Sequence, residues 1–263
     1  MNINNFIIDH VLRGIMTSSA DGSYMWSINQ MTEPALNITT EASEVVDALG
    51  CTVATFNRSK KAEFSANNSM FDLGLFAAQN GVEKTVASQS APTVTPIFEE
   101  ITVNGTEGEK AVLKHTPVNP VTNIYVLGGD GSVSTQMKAS AEASATTFVY
   151  DAEAHEITLP TGLSKGAVIL VIYEYEAQNA VSVLGDAINF PKSGKFIMEV
   201  LGSDACDQTT LVHAYLVFPN AKLDANVDIT FTSEGNHPFK LLCSQSYCDR
   251  EKKLFQLIIP DED

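Results

Sequence analysis

The stretch from Tyr24 to Gly81 constrains this chain most, because it sets two long strand-like runs beside one compact helical pattern. Tyr24-Met25-Trp26-Ser27-Ile28-Asn29-Gln30-Met31 alternates, with Trp26 and Ile28 on one side and Met25 and Met31 on the other. That is the period of a half-buried strand. Pro34 cannot donate to a ladder and predicts an edge or a bulge. Leu36 and Ile38 then resume the alternation opposite Asn37 and Thr39. Residues 51–57 and 61–66 form the returning run, so the expectation is one long antiparallel hairpin turning at Asp47-Ala48-Leu49-Gly50. Its tip, about residues 39–52, is too polar for a core. Thr39, Thr40, Glu41, Ser43, Glu44, Asp47 and Leu49 are therefore the candidate residues of a projecting arm that contacts another molecule. The competing expectation is a loose surface loop.

Asn68-Ser69, with Asp72 three residues after Ser69, reads as a helix start, and Asn80-Gly81 supplies a left-handed stop. The spacing predicts a helix over residues 69–80. Met70, Leu73 and Ala77 share one face, while Phe71, Leu75 and Ala78 share the next; with Phe76, nearly the whole circumference is apolar. Such a helix is expected to be sandwiched between a sheet and a second surface.

The remaining chain reads as strands and turns. Residues 6–16 have apolar positions at mixed spacing, and helix and strand both stay open. Residues 88–96 are linker-like. Between 98 and 176, candidate strands at 100–103, 110–115, 123–127, 146–150, 155–159 and 167–175 suggest a small immunoglobulin-like sandwich. Gly128-Gly129-Asp130-Gly131 and Pro160-Thr161-Gly162 are turns within it, and the Ala/Ser/Thr-rich run 134–147 reads as a loop. Further strands are expected at 181–184, 196–200, 210–218, 228–232, 239–244 and 254–259. The fold class is mainly β: two packed antiparallel sheets, one flanking helix and an inserted small β domain. The main domain is discontinuous, residues 1–97 and 178–263, with the insertion at 98–177.

Composition narrows the chemistry. With 263 residues and 44% hydrophobic content, the chain can bury a full core. Thirty-two acids against 16 bases give a net charge of −16, which repels nucleic-acid phosphate and argues against gripping DNA by its backbone. The plainer role of such acidity is solubility. Cys51, Cys206, Cys243 and Cys248 include no Cys-x-x-Cys pair, and His213 and His237 add no repeated ligand spacing, so no metal is expected. Scattered cysteines suggest reduced thiols made in a cytoplasm. Met1-Asn2-Ile3-Asn4-Asn5 does not read as a signal peptide, and no apolar run approaches the roughly 20 residues of a membrane helix. No nucleophile elbow, phosphate loop or dinucleotide fingerprint is present. His115, His155 and His213 fall in candidate strands and read as structural. Asp204, Asp207, Asp224 and Asp249 fall in turns, and Asp261-Glu262-Asp263 reads as a solvated tail. No catalytic, cofactor-binding or metal residue is expected, and no enzyme.

Thr32-Glu33-Pro34-Ala35-Leu36-Asn37-Ile38, then the run from Val46-Asp47-Ala48-Leu49-Gly50-Cys51 to Phe64-Ser65-Ala66, resembles phage virion structural proteins. The continuation through residues 69–81, and Phe190-Pro191-Lys192-Ser193-Gly194-Lys195-Phe196 onward to Pro260, is similar in layout to bacteriophage tail tube proteins. The likeness covers residues 24–81 and 180–263, a little over half of the chain. It implies hexameric rings stacked into a tube whose acidic lumen conducts DNA without specific binding. It also implies tail sheath, tape measure and tail terminator proteins as partners, no membrane, and synthesis in the bacterial host cytoplasm. A capsid decoration or head–tail connector protein is the alternative within virions. A carbohydrate-binding surface module is a third, against which the lone Trp26 argues.

Overall fold

The computed structural model describes residues 5–106, 108–231, 236–245 and 252–260. Cys248, Asp249, Thr232, residues 1–4 and the 261–263 tail lie outside the described residues. The chain forms two compact units, Met1–Lys84 with Val183–Asp263, and Thr85–Ser182. In order, the first unit begins with β1 (Phe6–Ser18), β2 (Tyr24–Ile28), β3 (Met31–Val46), β4 (Thr52–Asn68) and α1 (Leu73–Gln79). The second contains β5 (Thr85–Val86), β6 (Thr93–Thr102), β7 (Lys110–Val112), β8 (Asn123–Leu127), β9 (Val133–Ala139), β10 (Thr147–Asp151), β11 (Glu156–Thr158), β12 (Val168–Ala177) and β13 (Val181–Ser182). The first unit then closes with β14 (Ser193–Asp204), β15 (Asp207–Leu223), β16 (His237–Cys243) and β17 (Gln256–Ile258). The fold is mainly β, as the sequence pattern expects.

Seven strands of the first unit follow one path, β2-β1-β14-β15-β16-β4-β3, and an eighth, β17, pairs β15 off that path. Residues 6–16 form a strand. Their period is obscured because register shifts fall between Ile8 and His10 and between Val11 and Arg13, each reversing which side chains face inward. The run that began at Tyr24 is two strands: β2 pairs with β1, and β3, after Asn29 and Gln30, pairs with β4. Pro34 sits at a register shift between Thr32 and Ala35 on β3, the edge strand. Residues 225–231 carry only the isolated bridge Thr230–Asn236, not the expected strand.

The core of this unit is aromatic. Phe64 lies 5.5 Å from Phe218, 5.9 Å from Phe196 and 6.1 Å from Phe239, ring centre to ring centre. Trp26 stacks on Phe196 at 5.5 Å. Gly14 is required by this cluster, since a Cβ there would come within 2.5 Å of the Phe196 ring.

In the second unit seven strands run β6-β12-β8-β9-β10-β11-β7, and β13 pairs β5 separately. The expected linker at 88–96 is replaced partly by β6, which begins at Thr93. The expected loop at 134–147 contains β9. Only Met137 of that strand is buried, so its apolar residues show no alternation. β9 pairs β10 in parallel. Inside this unit Glu99 is buried, and it accepts from the Tyr173 hydroxyl at 2.7 Å and from the Lys114 amide at 3.2 Å.

Phe64→Ala is expected to lower the unfolding free energy of the first unit by about 3–5 kcal/mol, because a cavity opens among rings that cannot collapse into it. Urea unfolding followed by the Trp26 fluorescence measures this. A loss below about 1 kcal/mol contradicts a rigid aromatic core.

Candidate functional site

The β3–β4 hairpin outruns its sheet. β4 pairs β16 only from Ala62 (opposite Cys243) to Asn68 (opposite His237), while its pairing with β3 continues from Thr39 opposite Lys61 to Val46 opposite Thr52. Eight paired positions beyond the sheet project about 26 Å, at roughly 3.3 Å per residue. No residue from 39 to 61 is buried. At the apex, the Asp47 carboxylate accepts the amides of Leu49 at 2.9 Å and Cys51 at 2.8 Å, and Gly50 takes a φ of 83°. These bonds make the turn a defined one, with Leu49 88% exposed at its tip.

All the candidate arm residues lie on this projection. Thr39, Thr40, Glu41, Glu44, Asp47 and Leu49 are exposed and Ser43 is half-buried. Lys61 Nζ donates to Glu41 at 2.8 Å, and this bond holds the Glu41 carboxyl below its usual range. The Thr52 hydroxyl donates to Glu44 at 3.2 Å. The polar composition of the tip masks Val45, Val46, Val53 and Phe56, all exposed here. The Val45-Val46 pair was the available signal.

The helix is shorter than the spacing predicts. It covers Leu73–Gln79, and its cap is Asp72, whose carboxylate accepts the Leu75 amide at 2.7 Å. Ser69 is occupied elsewhere, donating its amide to the Gln30 carbonyl at 3.0 Å. The helix ends in a Schellman arrangement, Gly81 N–H to Ala78 O and Val82 N–H to Ala77 O, with Gly81 at φ 72°. A Cβ on Gly81 would come within 2.3 Å of the Phe190 carbonyl. Of the expected packing residues, Leu75 and Ala77 are buried and Phe76 is half-buried, whereas Met70, Phe71 and Leu73 are exposed.

His237, not singled out for this role in the sequence, pins the helix to the sheet. It is fully buried on β16; Nδ1 accepts the Asp72 amide at 3.2 Å, and Nε2 faces Gln79 Oε1 at 2.8 Å. Its proton therefore sits on Nε2, and the ring stays neutral. Gln79 completes the link by donating to the Pro238 carbonyl at 3.0 Å. Phe71 stacks over the imidazole at 4.9 Å. Burial pushes the His237 pKa below its usual 6.5.

Other singled-out residues do not converge. His115 follows β7 and stacks on Tyr175, and His155 lies before β11 with a φ of 55°, so neither lies in a strand. His213, on β15, meets Glu199 at 3.0 Å, and Arg13 meets the same carboxylate at 2.5 Å. Burial works against the Glu199 charge, but Arg13 and then His213 hold its pKa below the usual range. Asp204 and Asp224 accept turn amides from Cys206 and Asn226. Among the described residues, no three His, Cys, Asp or Glu side chains are grouped to hold a metal ion. Cys51 and Cys206 are exposed free thiols, and burial pushes the Cys243 thiol up to about 12.

A buried neutral histidine costs stability in acid. Because its folded pKa lies below 6.5, the unfolded chain takes the proton first, so stability is full above that value and falls as pH drops through it. His237→Asn, which keeps an acceptor near the Asp72 amide, should flatten this fall between pH 7 and 5 by about 1–2 kcal/mol. Urea midpoints across pH measure it, and an unchanged slope contradicts the neutral-histidine assignment.

Compared with known protein families, residues 6–249 match the model of the YomU/Tube protein family. No curated protein matches the chain.

Proposed function

We propose, because the chain belongs to the YomU/Tube protein family and is a phage tail tube structural protein of the virion, that it assembles through its arm into hexameric rings stacked as a hollow tube. The observation that carries this reading is the unsupported ladder beyond Ala62. A two-stranded ribbon with no sheet or core behind it is marginal in water, and this one exposes Leu49, Val45, Val46, Val53 and Phe56. Burial against a neighbouring copy supplies what the monomer lacks.

The sheet supports the same reading. Its path ends in β2 and β3, so both terminal strands offer unpaired backbone. Joining such edges around a ring satisfies those groups and removes an aggregation hazard. An arm on one copy that meets a different surface on the next makes a heterologous contact, which generates stacked, open assemblies. The net charge of −16 suits a conduit that DNA passes without binding. In the assembled tail, sheath, tape measure and terminator proteins are the partners. Synthesis takes place in the host cytoplasm.

Glu41 and Ser59 are an opposed pair, so replacing residues 42–58 by Asn-Gly closes the hairpin with a two-residue turn. The shortened protein should fold with wild-type stability and remain monomeric, while the full chain forms rings or tubes in negative-stain images. Tubes from the shortened protein would remove the arm from assembly. A full chain that stays monomeric even with tail initiators would remove the tube reading.

A further inference from the structure

We propose that the arm apex of one copy seats in a groove beside α1 of a second copy, a specific contact that rests on the assembly reading above. The groove is a cavity of about 560 Å³ between α1 with its following turn, the β1–β2 turn and the start of β14. That is within the size range of cavities that enclose a small ligand or a turn. Met25 and the small residues Gly74, Ala77 and Ala78 contribute its apolar lining, and Lys84 and Lys192 contribute its amines, with Glu83 the one acid. Neither lysine takes part in an ion pair or side-chain hydrogen bond among the described residues.

The apex carries the opposite character. Residues 42–57 contain Glu44 and Asp47 and no Lys or Arg. Leu49 stands between these acids and the returning strand, 88% exposed. One Asp47 oxygen accepts both turn amides, which leaves Oδ2 for a partner. The apex is thus an apolar knob flanked by carboxylates, already ordered, so docking loses little conformational entropy. The groove is a small-residue hollow with two unpaired amines. The ladder, about 26 Å long by the strand rise, holds the apex away from its own sheet, and the acceptor is accordingly another copy.

Cys51 provides a native probe, since it is an exposed thiol at the apex. Ser193 lines the groove and is exposed. In a Cys206→Ser, Cys248→Ser background, assembled tubes of Ser193→Cys oxidised with copper phenanthroline should give a ladder of linked chains on a non-reducing gel. The ladder should vanish with Cys51→Ser and should be absent when the thiol is placed at Lys138→Cys instead. Independently, Lys84→Glu with Lys192→Glu should raise the critical concentration for tube formation at least tenfold, and Glu44→Lys should recover part of it. Tubes of normal appearance with no Cys51-dependent ladder and no charge-swap recovery would overturn the groove as the docking site while leaving the tube reading intact. A wild-type chain that forms no tubes under any initiating condition would overturn both.

Discussion

The position of one ring, Phe64, decides what the hairpin can do. Phe64 lies on β4 among Phe196, Phe218 and Phe239, which come from β14, β15 and β16. A strand has a side-chain period of two, so burying Phe64 also turns Ala62 and Ala66 inward and sets the pairing of Ala62 with Cys243. Inward packing stops there: Lys61, Lys60 and Arg58 follow, and no core lies beneath them. The same register that roots the hairpin therefore fixes where it leaves the sheet. The arm is the unrooted continuation of a well-packed strand, which makes it long, regular and exposed at once.

Much of this was legible in the sequence, and the failures have physical causes. The hairpin was visible because its rooted half alternates, and its turn was visible because Asp47 and Gly50 are turn residues. The outer half lacks alternation, since neither of its faces meets a core, so the pattern alone leaves a projecting arm and a loose surface loop both open there. The helix start was misplaced because both Ser69 and Asp72 have cap chemistry. Only the tertiary fold engages Ser69 with Gln30 and leaves the role to Asp72. β9 was hidden for the same reason as the outer arm, having one buried side chain among seven residues. His237 could not be assigned from sequence at all. Its partners Asp72 and Gln79 lie more than 150 positions away, and nothing local signals the pairing.

That pairing also joins two features of the candidate site. Asp72 and Gln79 stand at opposite ends of α1, and one imidazole from β16 meets both. Seven residues are too few for an isolated helix to persist in water. Its position thus depends on Leu75 in the core and on the histidine bridge. β16 is in turn the strand that roots β4. The arm and the wall of the groove beside α1 are consequently held by the same strand, and a neighbour that pulls on one acts on an element shared with the other.

Charge follows a different division. Residues 85–182 hold eleven acids and four bases, a net −7, while the other segments hold 21 acids and 12 bases, a net −9. Nearly half of the acidity therefore belongs to residues 85–182. Among the described residues of the first unit, Glu199 is the buried carboxylate, paired with Arg13 and hydrogen-bonded to His213. Repulsion of DNA in a tube of this protein would then depend on exposed acids without cationic neighbours. Those taken up by arm contacts, Glu44 and Asp47 in the proposed docking, would be neutralised on assembly. In the proposed tube, the carboxylates that hold copies together and those that repel DNA along the passage would be different residues.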